Sequence, residues 1–254
     1  MLNSFPISQD WLIAIGLNTV LGAIALLLPR KVLTTAGICH AWALGITIWG
    51  CLSWQGYIVI LSYLIVGSGV TRIGKDIKEA KGIAEKRDGA RGPENLWGSA
   101  ATGAVCAIGF AIAPSPLWLL GYVASLSTKL ADTTASEIGK AYGKSTFLIT
   151  TFKPVPAGTE GAVSLEGTAA GIIGSLLIAA IGFSVGLLTS PWALLWCALA
   201  AFIATNIESL IGATFQEKYD WLTNELVNGI NTTLGAAIAV LIVQLLKLFN
   251  LELM

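Results

Sequence analysis

The sequence predicts an all-α, polytopic transmembrane helical bundle of about eight spans, and three observations carry that prediction. The first is composition: of 254 residues, 55% are hydrophobic and only 12% are charged, against roughly 25% charged in an ordinary soluble domain. Too little charge remains to coat a water-facing surface. The second is distribution, because the charges are bunched between apolar runs long enough to cross a hydrocarbon core about 30 Å thick as helix. The third is the form of those runs. They lack the alternation of barrel strands, and backbone groups left unpaired in lipid are costly, so helices are the expected form. The 28 glycines exceed the roughly 7% of average usage, as helices that pack closely through small residues require.

The spans are expected at 11–28, 32–52, 54–71, 95–113, 117–131, 168–189, 192–205 and 229–249, all within one integral membrane domain. The fifth and seventh are short. Asp10 precedes the first run and no basic segment does, so that run does not look like a cleaved signal peptide and is expected to stay in the protein. Placing Arg30 and Lys31 on the inner face puts segments 72–94, 132–166 and 208–228 there too. Fourteen of the fifteen basic residues then face the cytoplasm, as the positive-inside rule asks. Lys247 is the exception, and a lysine at a helix end can snorkel. The opposite turns, such as Ser53 and the pair Pro114 and Pro116, are too short to form a site, so the active face is expected on the cytoplasmic side. No internal repeat supports an inverted-repeat transporter.

Four stretches on that face carry candidate chemistry. In 126–140, Lys129, Asp132, Thr133, Ser136 and Lys140 fall on one stripe, since residues three and four apart are neighbours on a helix. Lys129 and Asp132 sit at the membrane boundary, where ionisable groups are expensive and usually functional; the plainer reading is a solvated helix end with an ion pair. In 153–171, Gly158, Gly161 and Gly167 permit turns that aim backbone N–H groups at an anion before the next helix begins. Thr159, Ser164 and Thr168 add hydroxyls there, and Glu160 and Glu166 are candidate Mg²⁺ ligands. In 205–235, Asn224, Asn228, Asn231 and Gly235 form an amide stripe entering the last span. Those amides either glue helices together or join Glu208 in binding a phosphate with its metal. In 72–91, seven basic and four acidic residues read by default as a solvated helix facing lipid headgroups, with Arg87 and Arg91 the best placed to reach a phosphate.

Other features carry less. Gly98 to Gly103 has the glycine spacing of a phosphate-binding loop, but Ala104 stands where lysine is needed; Gly139 to Ser145 has its first glycine one residue too close. Cys39, Cys51, Cys106 and Cys197 lie in apolar runs without zinc or disulfide spacing, and His40 is a lone mid-span histidine. No Ser/His/Asp triad follows from one such histidine, and nothing suggests nucleic-acid binding.

Six motifs together resemble the phytyl-phosphate kinase family of integral membrane proteins. They are Lys86-Arg-Asp-Gly-Ala-Arg91, Trp97-Gly-Ser-Ala-Ala-Thr-Gly103, Lys129-Leu-Ala-Asp-Thr-Thr-Ala-Ser-Glu-Ile-Gly139, Pro156-Ala-Gly-Thr-Glu-Gly-Ala-Val-Ser-Leu-Glu-Gly-Thr168, Asn206-Ile-Glu-Ser-Leu-Ile-Gly212 and Asn224-Glu-Leu-Val-Asn228. They run in order over roughly residues 70 to 240, whereas the first three spans carry little signature. The resemblance implies phosphoryl transfer to phytyl monophosphate, giving phytyl diphosphate for tocopherol and phylloquinone synthesis. It also implies Mg²⁺ and a plasma, thylakoid or plastid membrane. A more distant likeness of Asp132, Glu137 and the Gly-Thr patterns to CTP-dependent phytol and polyprenol kinases points to CTP as donor. On this reading Lys129, Asp132, Glu137 and Lys140 are catalytic. Lys144 and Lys153 help to offset phosphate charge, Asn206 joins the other amides, and the metal falls to Asp132, Glu160, Glu166 or Glu208. The apolar tail lies between spans. A membrane transporter and a CTP:phospholipid cytidylyltransferase are the competing functions.

Overall fold

The computed structural model describes residues 9–28, 32–84, 90–216 and 218–249. Helix α1 spans Gln9–Leu27, α2 Thr35–Arg72, α3 Lys75–Ala80, α4 Pro93–Ile112, α5 Pro116–Tyr142, α6 Leu165–Ser184, α7 Trp192–Ile211 and α8 Asn224–Leu248. Their starts follow ordinary capping chemistry. Thr34, Ser115, Ser164 and Thr223 accept hydrogen bonds from the first turns of α2, α5, α6 and α8, and prolines stand at the first turns of α4 and α5.

Among the described residues, six helices are long and apolar enough to cross a membrane, fewer than the eight spans expected, for two reasons. The expected second and third spans form the single element α2, interrupted at Ser53 by φ 54° and ψ −158°. That residue reverses the chain. The rings of Trp49 and Tyr57 are 5.2 Å apart, where eight residues of straight helix would separate them by about 12 Å. Gly37 and Gly67, in the two halves, both abut Arg91. The expected fifth span lies in α5, whose second half carries Lys129, Asp132, Glu137 and Lys140 and so is too polar to rank with the apolar six.

α5 is the central post, packed against α2, α4, α6, α7 and α8 and buried continuously from Leu120 to Ala131. Its closest partner is α6. A methyl group on Gly167 would meet the Ala135 carbonyl oxygen at 2.6 Å, and one on Gly171 would meet that of Ala131 at 3.1 Å. The Thr134 hydroxyl donates to the Ala170 carbonyl across this seam. By contrast α1 touches mainly α2 and turns most of its apolar surface outward, though buried Asn18 accepts a hydrogen bond from Tyr57 at 2.8 Å.

The sequence held no sign of strands, yet residues Thr146–Leu148 (β1) and Ala162–Ser164 (β2) pair antiparallel. Because β2 runs directly into Ser164, the cap of α6, this hairpin fixes the loop 149–161 at one end of the bundle. The helix directions gather 72–84, 90–92, 143–164, 212–216 and 218–223 at that same end, opposite Ser53 and 113–115.

Candidate active site at one end of the bundle

A cavity of about 480 Å³ opens at the end where these segments meet, walled by α5, α6, α7, the start of α8, the β1–β2 loop and Arg91. Lys129 is a buried charge in its wall, only 7% exposed. The ammonium donates to Asp132 Oδ2 at 2.5 Å and to Asn228 Oδ1 at 2.6 Å. Asp132 is one turn further along α5, and Ser136 another turn on donates to Asp132 Oδ1 at 3.5 Å. The three-and-four spacing thus places Lys129, Asp132, Thr133, Ser136 and Lys140 along the cavity wall.

α7 and α8 supply the facing wall. Glu208, on the inner turn of α7, accepts from the amide of buried Asn231 and lies within electrostatic reach of Lys129, Asp132 and Glu160. The amide stripe of α8 is therefore split in role. Asn228 holds the lysine, Asn231 sits behind the wall and holds the glutamate, and Asn224 lines the cavity while accepting from the Gln216 amide. Further along the stripe, Gly235 packs against Thr128 of α5.

Glu160 reaches the site because of two glycines. Gly158 and Gly161 have φ of +90° and +74°, which side chains disfavour. A methyl group on Gly161 would also meet the Ser209 carbonyl oxygen at 2.5 Å and the Ala213 nitrogen at 2.8 Å. The loop therefore lies directly on the turn of π-helix Gly212–Gln216 that ends α7. Gly158, Thr159, Glu160, Gly161, Ser164, Gly167 and Thr168 all line the cavity. The Thr159 and Thr168 hydroxyls donate to the Pro156 and Ser164 carbonyls, so they offer lone pairs to the cavity more readily than protons.

Arg91 approaches from the other side. Its backbone is strapped to Val32 and Thr34 by two hydrogen bonds of 2.9 and 3.0 Å, and its guanidinium lies 5.1 Å from the centre of the Tyr63 ring while donating to the Tyr63 hydroxyl. Arg87 lies outside the described residues. Lys144 and Lys153 are exposed, and neither they nor Glu166, in the first turn of α6, line the cavity. Asn206 does, donating to its own helix at Phe202.

Lys78 overturns the reading of 72–91 as a wholly solvated helix. It is 1% exposed, paired with Glu137 and bonded to the Thr71 carbonyl at 2.7 Å. Lys140 lies 3.7 Å from the other Glu137 oxygen. Glu137 is thus flanked by two lysines at the cavity wall. Sequence reasoning also passed over Tyr63 and the pair Asn95–Glu225, 3.0 Å apart; a tyrosine hydroxyl in the middle of an apolar span was the only signal for the first. His40 accepts from Trp97 at 3.0 Å and does not line the cavity. The four cysteines are free thiols.

Among the described residues, no three carboxylate, imidazole or thiolate groups converge to hold a metal by themselves. Asp132 and Glu208, with Glu160 in reach, form an acidic edge beside Lys129. That donor set fits Mg²⁺ shared with substrate phosphates, the manner in which the ion is usually held, and does not form a dedicated cage.

The description "Integral membrane protein DUF92" matches residues 18–236. Over 233 residues, 91% of this chain and 90% of the relative, the sequence is 63% identical to the membrane protein sll0875 of Synechocystis sp.. It is 44% identical to "Protein VTE6, chloroplastic" of Arabidopsis thaliana over 93% of this chain and 73% of that one. It is 33% identical to the membrane protein MJ0933 of Methanocaldococcus jannaschii over 88% and 91%. No solved structure matches the chain.

Proposed function

The chain belongs to the DUF92 family of integral membrane proteins, and we propose that it is a prenyl-phosphate kinase. It transfers the γ-phosphoryl group of a nucleoside triphosphate, CTP by preference, to phytyl monophosphate. The observation that carries this reading is the cavity itself. Buried Lys129, clamped between Asp132 and Asn228, faces Glu208 and Glu160 across a space that also receives Arg91. Mixed cations and carboxylates at the edge of a bilayer suit two phosphate-bearing substrates, one soluble and one lipid.

The acceptor needs little chemical activation. A phosphate monoester is already an ionised nucleophile, so alignment and charge neutralisation dominate the catalysis of phosphoryl transfer. One acceptor oxygen attacks the γ-phosphorus, the bond to the β–γ bridging oxygen breaks, and the nucleoside diphosphate leaves with that electron pair. Lys129 and Arg91 offset charge on the phosphates; Asn228 and Asp132 aim the lysine. Mg²⁺, held by Asp132 and Glu208, would neutralise further phosphate charge. The ionisable groups crowd one end of the bundle, which favours this chemistry over an ion path through the midplane. Phytyl diphosphate for tocopherol and phylloquinone synthesis fits a chloroplastic and a cyanobacterial relative, and with them a thylakoid or plastid membrane.

Purified protein incubated with labelled phytyl phosphate, CTP and Mg²⁺ is expected to yield phytyl diphosphate and CDP. Release of pyrophosphate with a CDP-phytyl product would replace the kinase by a cytidylyltransferase.

A further inference from the structure

The cavity does not end at its charged floor. It continues between α6 and α7, lined in succession by Thr168, Ile172 and Ser175 on one helix and by Ser209, Asn206 and Phe202 on the other. Seven residues of helix on each side correspond to about 10 Å of travel toward the bilayer centre.

Three observations set this cleft apart from the other walls. Ile172 and Phe202 are 40% and 41% exposed on the outside of the bundle, whereas Ser99 and Val227, which line the cavity beside α4 and α8, are buried. The α5–α6 seam is closed by the backbone contacts of Gly167 and Gly171. Within the cleft, the Ser175 hydroxyl donates to the Ile172 carbonyl at 2.8 Å and the Asn206 amide to the Phe202 carbonyl at 2.7 Å. The hydroxyl and one of the two amide N–H groups are satisfied on their own helices, which lowers the cost of laying a hydrocarbon against them.

We propose that the α6–α7 cleft is a lateral portal through which the isoprenoid tail of the acceptor enters from the bilayer, Ile172 and Phe202 flanking the chain while its phosphate reaches Lys129. On α7 the lining passes from Ser209 and Asn206 to Phe202, polar to apolar, as an amphiphile lying in a leaflet requires. Entry from the side also spares the tail any passage through water, where every exposed methylene is unfavourable. This assignment rests on the prenyl-phosphate reading above.

A phytyl phosphate analogue with a diazirine in its tail, photolysed with the full-length protein in nanodiscs, tests it directly. Adducts competed by phytyl phosphate are expected at 172–175 and 202–206; adducts on α1, α2, α4 or α8 overturn the portal. Ile172→Trp, checked for unchanged thermal unfolding, is expected to lower the ratio of kcat/KM for phytyl phosphate to that for a five-carbon prenyl phosphate at least tenfold. Should Ile172→Trp unfold, Phe202→Ala serves in the same ratio, and a ratio unmoved in the folded variant also overturns the portal. Adducts in the cleft without turnover of any prenyl phosphate would sink the kinase reading and leave the portal standing. Turnover with adducts elsewhere does the reverse, and neither turnover nor adducts removes both.

Discussion

Asp132 stands at once beside Lys129 and within reach of Glu208, so its charge has two uses that a substitution separates. Asp132→Asn keeps the size and removes the charge. If the carboxylate neutralises charge at the reacting phosphates, the rate falls by about 10²-fold, the usual loss for one electrostatic group, and the Mg²⁺ dependence shifts. Assay of the variant across Mg²⁺ concentrations checks this, and near-normal turnover with unchanged Mg²⁺ dependence would remove Asp132 from the site. Glu137 acts differently, compensating the charges of Lys78 and Lys140. Glu137→Gln is expected to destabilise the protein by about 3–5 kcal/mol, because it strands a buried ammonium, and Lys78→Met in the same chain should restore most of the loss. Thermal unfolding in detergent measures both, and a double variant no more stable than Glu137→Gln alone would show that the pair is not the cause. The stripe from Lys129 to Lys140 was legible because three-and-four spacing on one helix is a local property. Lys78 was not, since its burial depends on a partner 59 residues away.

Among the elements, the turn at Ser53 shows what apolar periodicity conveys and what it omits. The position of the break between two runs was readable from the sequence. Its form was not, because nothing in hydropathy distinguishes a loop from a single residue at φ 54° and ψ −158°, a region that non-glycine residues enter at a cost of about 1–3 kcal/mol. Ser53→Gly is therefore expected to stabilise the protein by about 1 kcal/mol, even after loss of the 3.4 Å bond from Ser53 to Asp10, and to raise the unfolding temperature. A lowered unfolding temperature would mean that the hydroxyl contact outweighs the strain. The β1–β2 hairpin was illegible for a related reason. Strands of three residues are too short to show alternation, and the glycines of the intervening loop signal freedom to turn without naming the surface they turn against. The contact of Gly161 with the end of α7 supplies that surface.

For the whole molecule, the bundle collects the segments 72–84, 90–92, 143–164, 212–216 and 218–223 at one end, and the same end holds the cavity. The basic residues of this face are what the sequence displays most openly, with fourteen of the fifteen assigned to it once Arg30, Lys31, Lys86, Arg87, Lys129 and Lys140 are included. That asymmetry orients membrane proteins with the basic loops inside. A nucleotide donor made in the aqueous compartment would reach the cavity from that side without crossing lipid. Geometry alone gives the common end, while the charge bias gives its direction. The prediction is that Ala80, Lys140 and Glu160, replaced singly by cysteine after Cys39, Cys51, Cys106 and Cys197 are substituted, resist an impermeant thiol reagent in intact cells and react after permeabilisation. A cysteine at Ser115, in the turn between α4 and α5 at the opposite end, should react in intact cells. If position 160 is labelled from outside while 115 is protected, the bundle is inverted and the nucleotide must be supplied from the other compartment. If 80 and 160 differ in accessibility, the segments do not share a face, and the cavity that joins them would have to be abandoned as the active site.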